Sequence, residues 1–482
     1  MRNNKSPSYK SILRKHAASS ANKVTNLPFP TATTDRGAAD SLVLDAHTFK
    51  DLEVFNAESC GKSLFELYDQ TVTQGGSSTL RQRMAFPFSD PQRIRQTQDS
   101  VSYIQQHREN FNKIPFFIVG RVVKYQKDPL MFVTHKNKFD FTIGAVSLKL
   151  GDPHHYHRIV RGVQYTCLLI RALREYLSQV EIASADGELA ILCEEMRQLL
   201  SLPGLSKVPD AEVGDASLWK ILRLDQIFRI DEKSGIERLV LLIYETDALI
   251  SMADATQKYG YVIPQILTGE TSVYAKRLVH PQIKNAIPND IKLDQNERLL
   301  FLTGPNMAGK TTYLRAIATA LYLGHLGMGV PAASFSFVPV QRLFSSITVT
   351  DDVHTGTSYF LAEVQRIKAV AKALAEGFRV VAIMDEPFKG TNVKDAFEAS
   401  LAVMKRVEPK RNCLFLFSSH LIELGERFES SNNIKKCFFE ARESEGKLQF
   451  DYTLHSGVSS QRLGMRVLLE EGVFELLDKE RG

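Results

Sequence analysis

The spacing of apolar residues changes once along this chain, near Gly260. Between Ser41 and Gly260 apolar residues recur mainly every three or four positions, which is the period of an amphipathic helix. The clearest run predicts a helix with one buried stripe and consists of Ile236, Leu239, Leu242, Thr246, Leu249 and Ala253.

Further helix boundaries in this first part are marked by capping residues. Asp152 followed by Pro153 predicts a helix start, and the stretch 157–202 predicts one or two long helices that end at Pro203-Gly204. The segment 203–216 is a polar connector, and another helix is predicted to begin near Ser217. The stretch 114–141 mixes aromatic and β-branched runs and allows no assignment.

After Gly260 short apolar or β-branched runs alternate with helical patterns, which is typical of a parallel or mixed sheet covered on both faces. The predicted strands are Leu299 to Thr303, Phe344 to Val349, Val380 to Met384 and Leu414 to Phe417.

A glycine-punctuated turn joins the first of these strands to a helix predicted at 313–326. Gly304 and Gly309 allow the backbone to curl so that its N–H groups point inward, and the next helix offers its positive end. This order predicts a P-loop that binds a nucleoside triphosphate. The candidate ligand-binding residues are Gly304, Pro305, Asn306, Met307, Ala308, Gly309, Lys310, Thr311 and Thr312.

Side chains with catalytic chemistry follow the loop and two later strands. Lys310 can reach the β- and γ-phosphates, and the Thr311 hydroxyl can ligate Mg²⁺. Asp385 can hold Mg²⁺ through its water shell, and Glu386 can orient or deprotonate the attacking water. His420, after the strand at 414–417, can hydrogen-bond the γ-phosphate. These residues predict a magnesium-dependent ATPase that uses ATP.

Ser358 precedes a helix predicted from Phe360 onwards. Its hydroxyl and the neighbouring backbone N–H groups can meet an anion, but Ser is also an ordinary N-cap. The residue chemistry leaves both interpretations open.

Composition and net charge exclude few classes of protein. The chain has 482 residues, a formal net charge of +5 and no apolar run as long as a membrane span. Five scattered cysteines without a CxxC pair indicate thiols in a reducing compartment, and we expect a cytoplasmic location without a membrane. The polar residues 1–40 predict a disordered tail.

The order of motifs resembles the ATPase domain of the MutS family of DNA mismatch-repair proteins. The similarity rests on GPNMAGKTT (304–312), DDVHTGTSYFLAEV (351–364), MDEPFKGTN (384–392) and FSSHLIEL (417–424). Residues 44–53 and 63–84 are similar to the opening of the family's helical core, and 259–262 and 279–281 to its lead-in to the ATPase. Residues 456–477 are similar to its helical dimerisation tail.

The resemblance implies an α/β P-loop ATPase domain of the ABC class, preceded by an all-α core or lever domain. The implied boundaries are a tail at 1–40, a helical core at 41–258, an ATPase domain at 259–425, and its end with the dimerisation segment at 426–482. It also implies a homodimer that sandwiches two nucleotides. Lys310, Thr311, Asp385, Glu386 and His420 would serve the subunit's own ATP, while Ser358, with Glu363 nearby, would face the partner's γ-phosphate.

Some positions depart from the family pattern. Ala286 stands where the family usually has a Phe that stacks on adenine, although the adjoining Ile287 remains a candidate ATP-binding residue. Phe388-Lys389 replaces a usual Gly-Arg, and Thr357 replaces a usual Arg or Lys.

The tail and the connector at 203–216 are too short for the family's mismatch-reading, connector and clamp domains, and no nuclease-like module is expected at the carboxyl end. We therefore expect no direct reading of mismatches by a stacked Phe. No basic strip with interleaved aromatic residues stands out as a DNA-binding surface. The nearest candidate is the stretch that holds Arg121, Lys124, Tyr125, Lys127, Lys136 and Lys138. Those charges are interpreted as a solvated face rather than as a phosphate track.

The sequence predicts a dimeric, MutS-like ATPase that acts on duplex or branched DNA without sequence specificity, in mismatch repair or recombination, with other repair proteins as further partners. The alternative is an ATP-driven module that recruits or remodels another protein and does not read DNA. A chromosome-structure or transporter ATPase fits poorly, because 49 residues separate Gly309 from Ser358 and leave no room for a long coiled coil.

Overall fold

The structure, a computed structural model, describes residues 40–57, 61–129, 133, 138–180, 187–210, 217–347, 359–428, 431–444, 447–459, 461, 468–469 and 472–477. The predicted tail, Cys60, Lys136, Thr357 and Ser358 lie outside the described residues. No described helix has the length and apolarity that crossing a bilayer would require.

Helices form the first part of the described chain. Ten α-helices precede the first strand: α1 (Ala46–Asp51), α2 (Leu64–Tyr68), α3 (Gln74–Ala85), α4 (Pro91–Gln106), α5 (Phe116–Lys127), α6 (Lys138–Gly151), α7 (Pro153–Gln179), α8 (Glu188–Leu200), α9 (Leu218–Gln226) and α10 (Lys233–Lys258).

Local sequence explains where several of these helices begin. The Asp152 carboxylate accepts a hydrogen bond from the His155 N–H (2.9 Å) and caps α7, while the Ser217 hydroxyl caps α9. Side-chain acceptors at these positions satisfy N–H groups that lack partners within the helix. The predicted starts near Asp152 and Ser217 are therefore confirmed.

Helix α10 is buried far more widely than the predicted single stripe. Its second half also buries Asp247, Ala248, Ile250 and Ser251, which lie between the stripe positions. The Asp247 carboxylate accepts hydrogen bonds from the N–H groups of Val72 (3.0 Å) and Thr73 (2.8 Å). The six predicted stripe residues are all buried, which confirms the predicted helix and its buried stripe. Burial extends beyond the stripe because helices α3, α4 and α8 all pack on α10, so that it is a central helix rather than a surface one.

The stretch 114–141, which the sequence left unassigned, contains the helix α5 and the start of α6, with non-helical residues before and between them where the chain is described. Helix α5 buries Ile118, Val119 and Val122. Aromatic and β-branched residues have weak helix propensity, which tertiary packing overrides here.

Strands dominate the second part of the described chain. They are β1 (Gln265–Ile266), β2 (Val273–Leu278), β3 (Asn289–Leu293), β4 (Leu299–Thr303), β5 (Ser334–Phe337), β6 (Arg342–Ser346), β7 (Val380–Asp385), β8 (Cys413–Ser418), β9 (Ile434–Phe438), β10 (Ala441–Ser444), β11 (Lys447–Phe450) and β12 (His455–Ser456). The helices among them are α11 (Lys310–His325), α12 (Tyr359–Ala375), α13 (Val393–Val407), α14 (Glu423–Glu426) and α15 (Val473–Leu477).

The main sheet has six strands in the order β12-β9-β4-β8-β7-β6. Its strands are parallel except for β12, which pairs with β9 in the antiparallel sense. All five residues of β4 are buried, as expected for a strand covered on both faces. A four-stranded sheet, β1-β5-β2-β3, and the hairpin β10-β11 complete the strands described.

All four predicted strands exist, but β6 begins at Arg342, two residues earlier than predicted. The N–H of Arg342 bonds to the carbonyl of Arg379 and extends the pairing with β7. Ser456, which the resemblance assigned to a helical tail, lies in β12. The described chain therefore confirms a helical first part followed by mixed α/β sheets.

Helix α1 joins the helical part to the edge of the main sheet. The buried Asp51 carboxylate accepts hydrogen bonds from the Ser345 hydroxyl (2.7 Å) and the Ile347 N–H (2.8 Å). On α12, Arg366 bonds to Asp45 and to the Ser345 carbonyl. These contacts tie both neighbours of the segment 348–358 to the same short helix.

Candidate functional site

The candidate site lies at the carboxyl ends of the neighbouring parallel strands β4, β8 and β7. The loop that follows β4 contains Gly304 to Gly309, β7 ends at Asp385 and continues into Glu386, and His420 follows β8. Because parallel strands present their carboxyl ends at one edge of a sheet, residues far apart in sequence meet here.

The backbone of the glycine loop has a conformation that its sequence makes possible. Gly304 and Gly309 have φ angles of 133° and 104°, and Met307 has 68°. A Cβ atom on Gly304 would lie 2.4 Å from the carbonyl oxygen of Phe439. Only glycine fits this position, since both the φ angle and the neighbouring backbone exclude a side chain.

Helix α11 starts at Lys310 directly after the loop, and no side chain caps its amino end. The first N–H groups of a helix have no acceptor within the helix, and they carry the positive end of its dipole. The loop and helix end are therefore suited to an anionic ligand.

Lys310 places its ammonium group inside the loop. The side chain is 4% exposed and donates to the carbonyl oxygens of Gly304 (2.8 Å) and Pro305 (3.0 Å). Its Nζ also lies 3.4 Å from the Glu386 carboxylate. Burial lowers the pKa of Lys310, although the charges of Glu386 and Asp385 oppose that shift.

Thr311 and Asp385 bring two oxygen ligands together. The Thr311 hydroxyl donates to one Asp385 carboxylate oxygen at 2.5 Å, and the Ser418 hydroxyl donates to the other. Oxygen atoms of this kind are the ligands that Mg²⁺ prefers. The side chains therefore fit a divalent cation held between the loop and β7.

Glu386 is surrounded by cations. Its carboxylate lies 2.6 Å from His420 Nε2 and 2.6 Å from Lys389 Nζ. Burial would raise its pKa, but the hydrogen bonds from His420 and Lys389 and the charges of His420 and Lys310 lower the pKa of Glu386 to about 2. The carboxylate is thus ionised throughout the neutral range.

His420 also approaches the glycine loop. Its Nε2 lies 2.9 Å from the Asn306 side-chain oxygen as well as close to Glu386. His420 therefore connects the loop after β4 with the acidic pair after β7. This position lets it respond to an anion bound in the loop.

A cavity of about 460 Å³ extends from the glycine loop towards the loop before β3. Residues 306–307 and 309–312 line one end of it. The predicted binding residue Ile287 is 46% exposed and lines the same cavity, as does Ala286. The volume and the mixed lining suit a small ligand with an anionic part and an apolar part.

Tyr452 lines the same cavity and was missed by sequence reasoning. Its ring lies 3.3 Å from the position of a Cβ on Gly309 and is 44% exposed. Asn289 holds the backbone beside the ring, since its amide donates to the Tyr452 carbonyl (2.9 Å) and to the Ile287 carbonyl (3.3 Å). The positive φ of Tyr452, 54°, is a local signal that appears only in the folded chain.

Three further residues lie near the acidic pair: Lys389, Phe388 and Glu363. Lys389 forms the ion pair with Glu386 described above, and Phe388 is buried with a φ of 67°. The Glu363 carboxylate is buried and accepts from the Lys389 N–H at 3.3 Å. Burial raises the pKa of Glu363, although backbone N–H groups of Gly390, Lys389 and Phe388 lower it. Ser358 and its relation to Glu363 lie outside the described residues.

Two family models match this chain. The model for MutS domain V, the ATPase domain of that family, matches residues 300–475, and the model for MutS domain III matches residues 47–117. The domain V match contains the glycine loop, Asp385, Glu386, His420 and Tyr452. The domain III match covers helices α2, α3 and α4.

The chain is also similar to the DNA mismatch repair protein MutS of Thermosipho melanesiensis. The two are 28% identical over 264 residues, which are 54% of this chain and 32% of that protein. The match thus spans about a third of the relative's length. With domains III and V both matched in the expected order, the chain belongs to the MutS family.

Proposed function

We propose that this protein binds Mg²⁺-ATP in the cavity beside the glycine loop and hydrolyses it, as the P-loop ATPases of the ABC class do. One observation carries the proposal: Lys310, the Thr311–Asp385 pair, Glu386 and His420 converge around one loop at the end of β4. Membership of the MutS family supports a role related to DNA mismatch repair.

The phosphates would lie in the glycine loop, against the amino end of α11. Lys310 already lies inside the loop, bonded to two loop carbonyls. It would exchange these bonds for contacts to the β- and γ-phosphates, and so offset charge that develops in the transition state. Thr311 and Asp385 would hold Mg²⁺, which neutralises the phosphate oxygens when bound.

Glu386 would orient the attacking water. Its low pKa makes it a weak base while His420, Lys389 and Lys310 surround it. A bound triphosphate would draw His420 and Lys310 towards the γ-phosphate, and the loss of these partners would raise the pKa of Glu386. Substrate binding would thereby prepare the carboxylate for its role.

The base would lie between Tyr452 and Ile287. Tyr452 contributes a partly exposed aromatic ring to the cavity lining, next to Gly309. It is therefore our candidate for the stacking residue in this chain, with Asn289 fixing its position.

We further propose that the active form is a dimer in which Ser358 of one subunit reaches the other subunit's γ-phosphate. The resemblance to the family supports this part. ATP would then shift the dimer between two arrangements, by as much as the affinities of the two arrangements for ATP differ. In this proposal the dimer acts on DNA.

Steady-state turnover and equilibrium nucleotide binding test the proposal. Lys310→Ala should abolish both ATP binding and turnover. Glu386→Gln should bind ATP with affinity close to that of the unchanged protein and lose turnover by about a thousandfold, since only the water-activating step is removed. Full turnover in Glu386→Gln would contradict its assigned role.

The shared site is tested with mixed dimers that carry Ser358→Ala in one subunit. Loss of turnover at one of the two sites is the expected outcome. A protein that remains a single subunit in the presence of ATP would refute the dimer proposal.

A further inference from the structure

Positive charge is concentrated in one part of this chain. Residues 113–174 contain eleven Lys and Arg and three Asp, a net charge of +8, whereas the whole chain carries +5. The remainder is therefore slightly acidic. The cations of this segment lie mainly on α5 and α7.

Helices α5 and α7 lie side by side and antiparallel. Arg121 stacks on the ring of Tyr165 with 4.9 Å to the ring centroid, and Asp128 pairs with Arg158 at 2.6 Å. Between these two contacts, Tyr125 lies against Gly162, where a Cβ would come within 2.1 Å of the ring. Gly162 therefore permits the close approach that brings the outer surfaces of both helices together.

The outer surface of this pair carries Arg121, Lys124 and Lys127 from α5 and Arg158 and Arg161 from α7; we call these five residues the basic face. All five side chains are exposed. At about 1.5 Å per residue and about 9 Å between helix axes, they lie within an area of about 10 Å by 10 Å.

The basic face is poorly neutralised by the protein itself. In the described part of the chain, its one ion pair joins Arg158 to Asp128. The charges of Lys124, Lys127 and Arg161 have no carboxylate within 4 Å among the described residues, and α5 contains no acidic residue. Such a group of like charges costs folding free energy unless an anionic partner binds it.

We propose that the basic face binds the phosphate backbone of duplex DNA. B-DNA presents one charge per about 1.7 Å of its axis, so that an area of this length faces several phosphates. The cations stand at helical spacing on a packed pair of helices, so that their backbone positions are fixed before DNA binds and only the side chains have to be ordered. This inference rests on the proposed action on DNA and names the surface that performs it.

An anionic membrane surface fits the same face less well. A helix that lies in a membrane inserts a continuous apolar side. The apolar residues Ile118, Val119 and Val122 of α5 are buried against the protein, and Phe117 is the one large apolar side chain of α5 that is strongly exposed, at 73%. The exposed surface of α5 is otherwise Gly120 and the cations.

The sequence alone favoured a solvated face for the α5 cations. Arg158 and Arg161 lie more than thirty positions further along the chain, and only the antiparallel packing of α7 adds them to the same surface.

The test uses the full chain and a fluorescein-labelled duplex of about 30 base pairs. Binding is measured by fluorescence anisotropy between 50 and 200 mM NaCl without nucleotide. The test variant is Lys124→Glu with Arg161→Glu. The control, Lys405→Glu with Lys410→Glu, makes the same change in net charge at exposed positions in and after α13.

For the unchanged protein, the slope of log K against log salt should be about −4, as expected for four or five phosphate contacts. The test variant should lose about two units of that slope and bind at least about tenfold more weakly, while the control keeps both values. Neither variant should melt at a lower temperature than the unchanged protein, because every altered side chain is exposed and the test variant also relieves repulsion within the basic face.

Equal losses in test and control variants would overturn the inference, as would no DNA binding by the unchanged protein. Binding to phosphatidylserine vesicles that is lost in the test variant, while DNA binding is retained, would assign the face to a membrane instead. ATP turnover without DNA is measured in parallel. Its absence would refute the proposed ATPase, yet would leave a DNA-binding loss in the test variant as support for the basic face.

Discussion

At the scale of single residues, the pKa of Glu386 depends on three neighbouring basic side chains. His420 and Lys389 each donate to its carboxylate, and Lys310 lies 3.4 Å away. Of these, Lys389 stands where the family usually has Arg, and it contributes nothing else to our proposed mechanism. Its charge also lowers the pKa of Lys310 and of Glu363, but it is the one of the three neighbours that can be replaced without removing a proposed phosphate contact.

We expect Lys389→Met to raise the pKa of Glu386. The Lys389 hydrogen bond lowers that pKa, so that its removal makes the carboxylate take up a proton at higher pH. Because activity requires the ionised form, the acid limb of kcat/KM for ATP should move to higher pH. The measurement is the pH profile of turnover, with the exposed Lys394→Met on α13 as a control whose profile should not move.

A second residue-scale prediction concerns Tyr452. Removing the ring with Tyr452→Ala should weaken ATP binding about tenfold, since stacking of a base on an aromatic side chain contributes about 1–3 kcal/mol. Binding of tripolyphosphate, which has no base, should not change. Tyr452→Phe keeps the ring and should bind ATP normally. Equal weakening of both ligands by Tyr452→Ala would contradict the stacking role.

At the scale of elements, the loop between β4 and α11 depends on support from a distant part of the chain. The Phe439 N–H donates to the Thr303 carbonyl at 3.1 Å, and the Phe439 ring packs edge-on against Tyr313 at 5.8 Å. The segment after β9 therefore forms one wall of the glycine loop. Its sequence contains nothing that would assign it to a ligand site.

Gly304→Ala tests whether the contact with Phe439 sets the conformation of the glycine loop. The new methyl group would lie 2.4 Å from the Phe439 carbonyl oxygen, so that the loop must move. We expect a loss of ATP binding together with a decrease of at least about 2 kcal/mol in the free energy of unfolding. Urea denaturation and nucleotide titration measure the two effects.

Gly377→Ala provides the matched control. Gly377 also has a positive φ, 82°, but no atom lies within 4 Å of an added Cβ. The free energy of unfolding of Gly377→Ala should fall by only about 1 kcal/mol, which is the ordinary cost of a positive φ for a residue with a side chain. ATP binding should be unchanged. Similar losses in both variants would show that strain of the backbone, rather than the Phe439 contact, decides the effect.

Several elements were predictable because their periodicity or their caps are local properties. The strand 299–303, the start of α7 at Asp152 and the start of α9 at Ser217 belong to this group. The breadth of burial on α10 was not predictable, because it depends on three other helices that pack around it. Eight of the twelve strands in the described chain were not predicted, β9 and β12 among them, since they find their pairing partners only in the folded sheet.

At the scale of the whole molecule, one buried histidine connects two parts of the fold. His325, the last residue of α11, is fully buried; its Nδ1 lies 2.8 Å from the Leu321 carbonyl, and its Nε2 accepts from the Val340 N–H at 3.0 Å. Both nitrogens are thus engaged in the neutral state. Burial lowers the pKa of His325 to about 4.

This histidine should make the protein less stable in mild acid. Between pH 6.5 and 4 the unfolded chain takes up a proton at His325 and the folded chain does not, so that stability falls as the pH falls. We expect a loss of about 2 kcal/mol between pH 7 and pH 5 from this group. The measurement is the urea midpoint at both pH values.

His325→Gln should remove that part of the pH dependence, whatever its effect on stability at pH 7. His154→Gln, at an exposed position, should leave the dependence as it is. If the urea midpoint falls equally between pH 7 and pH 5 in His325→Gln and in the unchanged protein, the acid sensitivity belongs to other groups.

The sequence by itself determined that a helical first part precedes an α/β second part, and it determined the glycine turn and the chemical identity of Lys310, Thr311, Asp385, Glu386 and His420. These follow from short-range patterns, in which neighbouring residues decide backbone conformation. Only the tertiary structure decided that Lys389 pairs with Glu386, that Tyr452 and Ile287 line the same cavity, and that two distant helices share one basic face. Each of these depends on contacts between segments far apart in sequence, and such contacts are set by packing of the whole chain rather than by any local pattern.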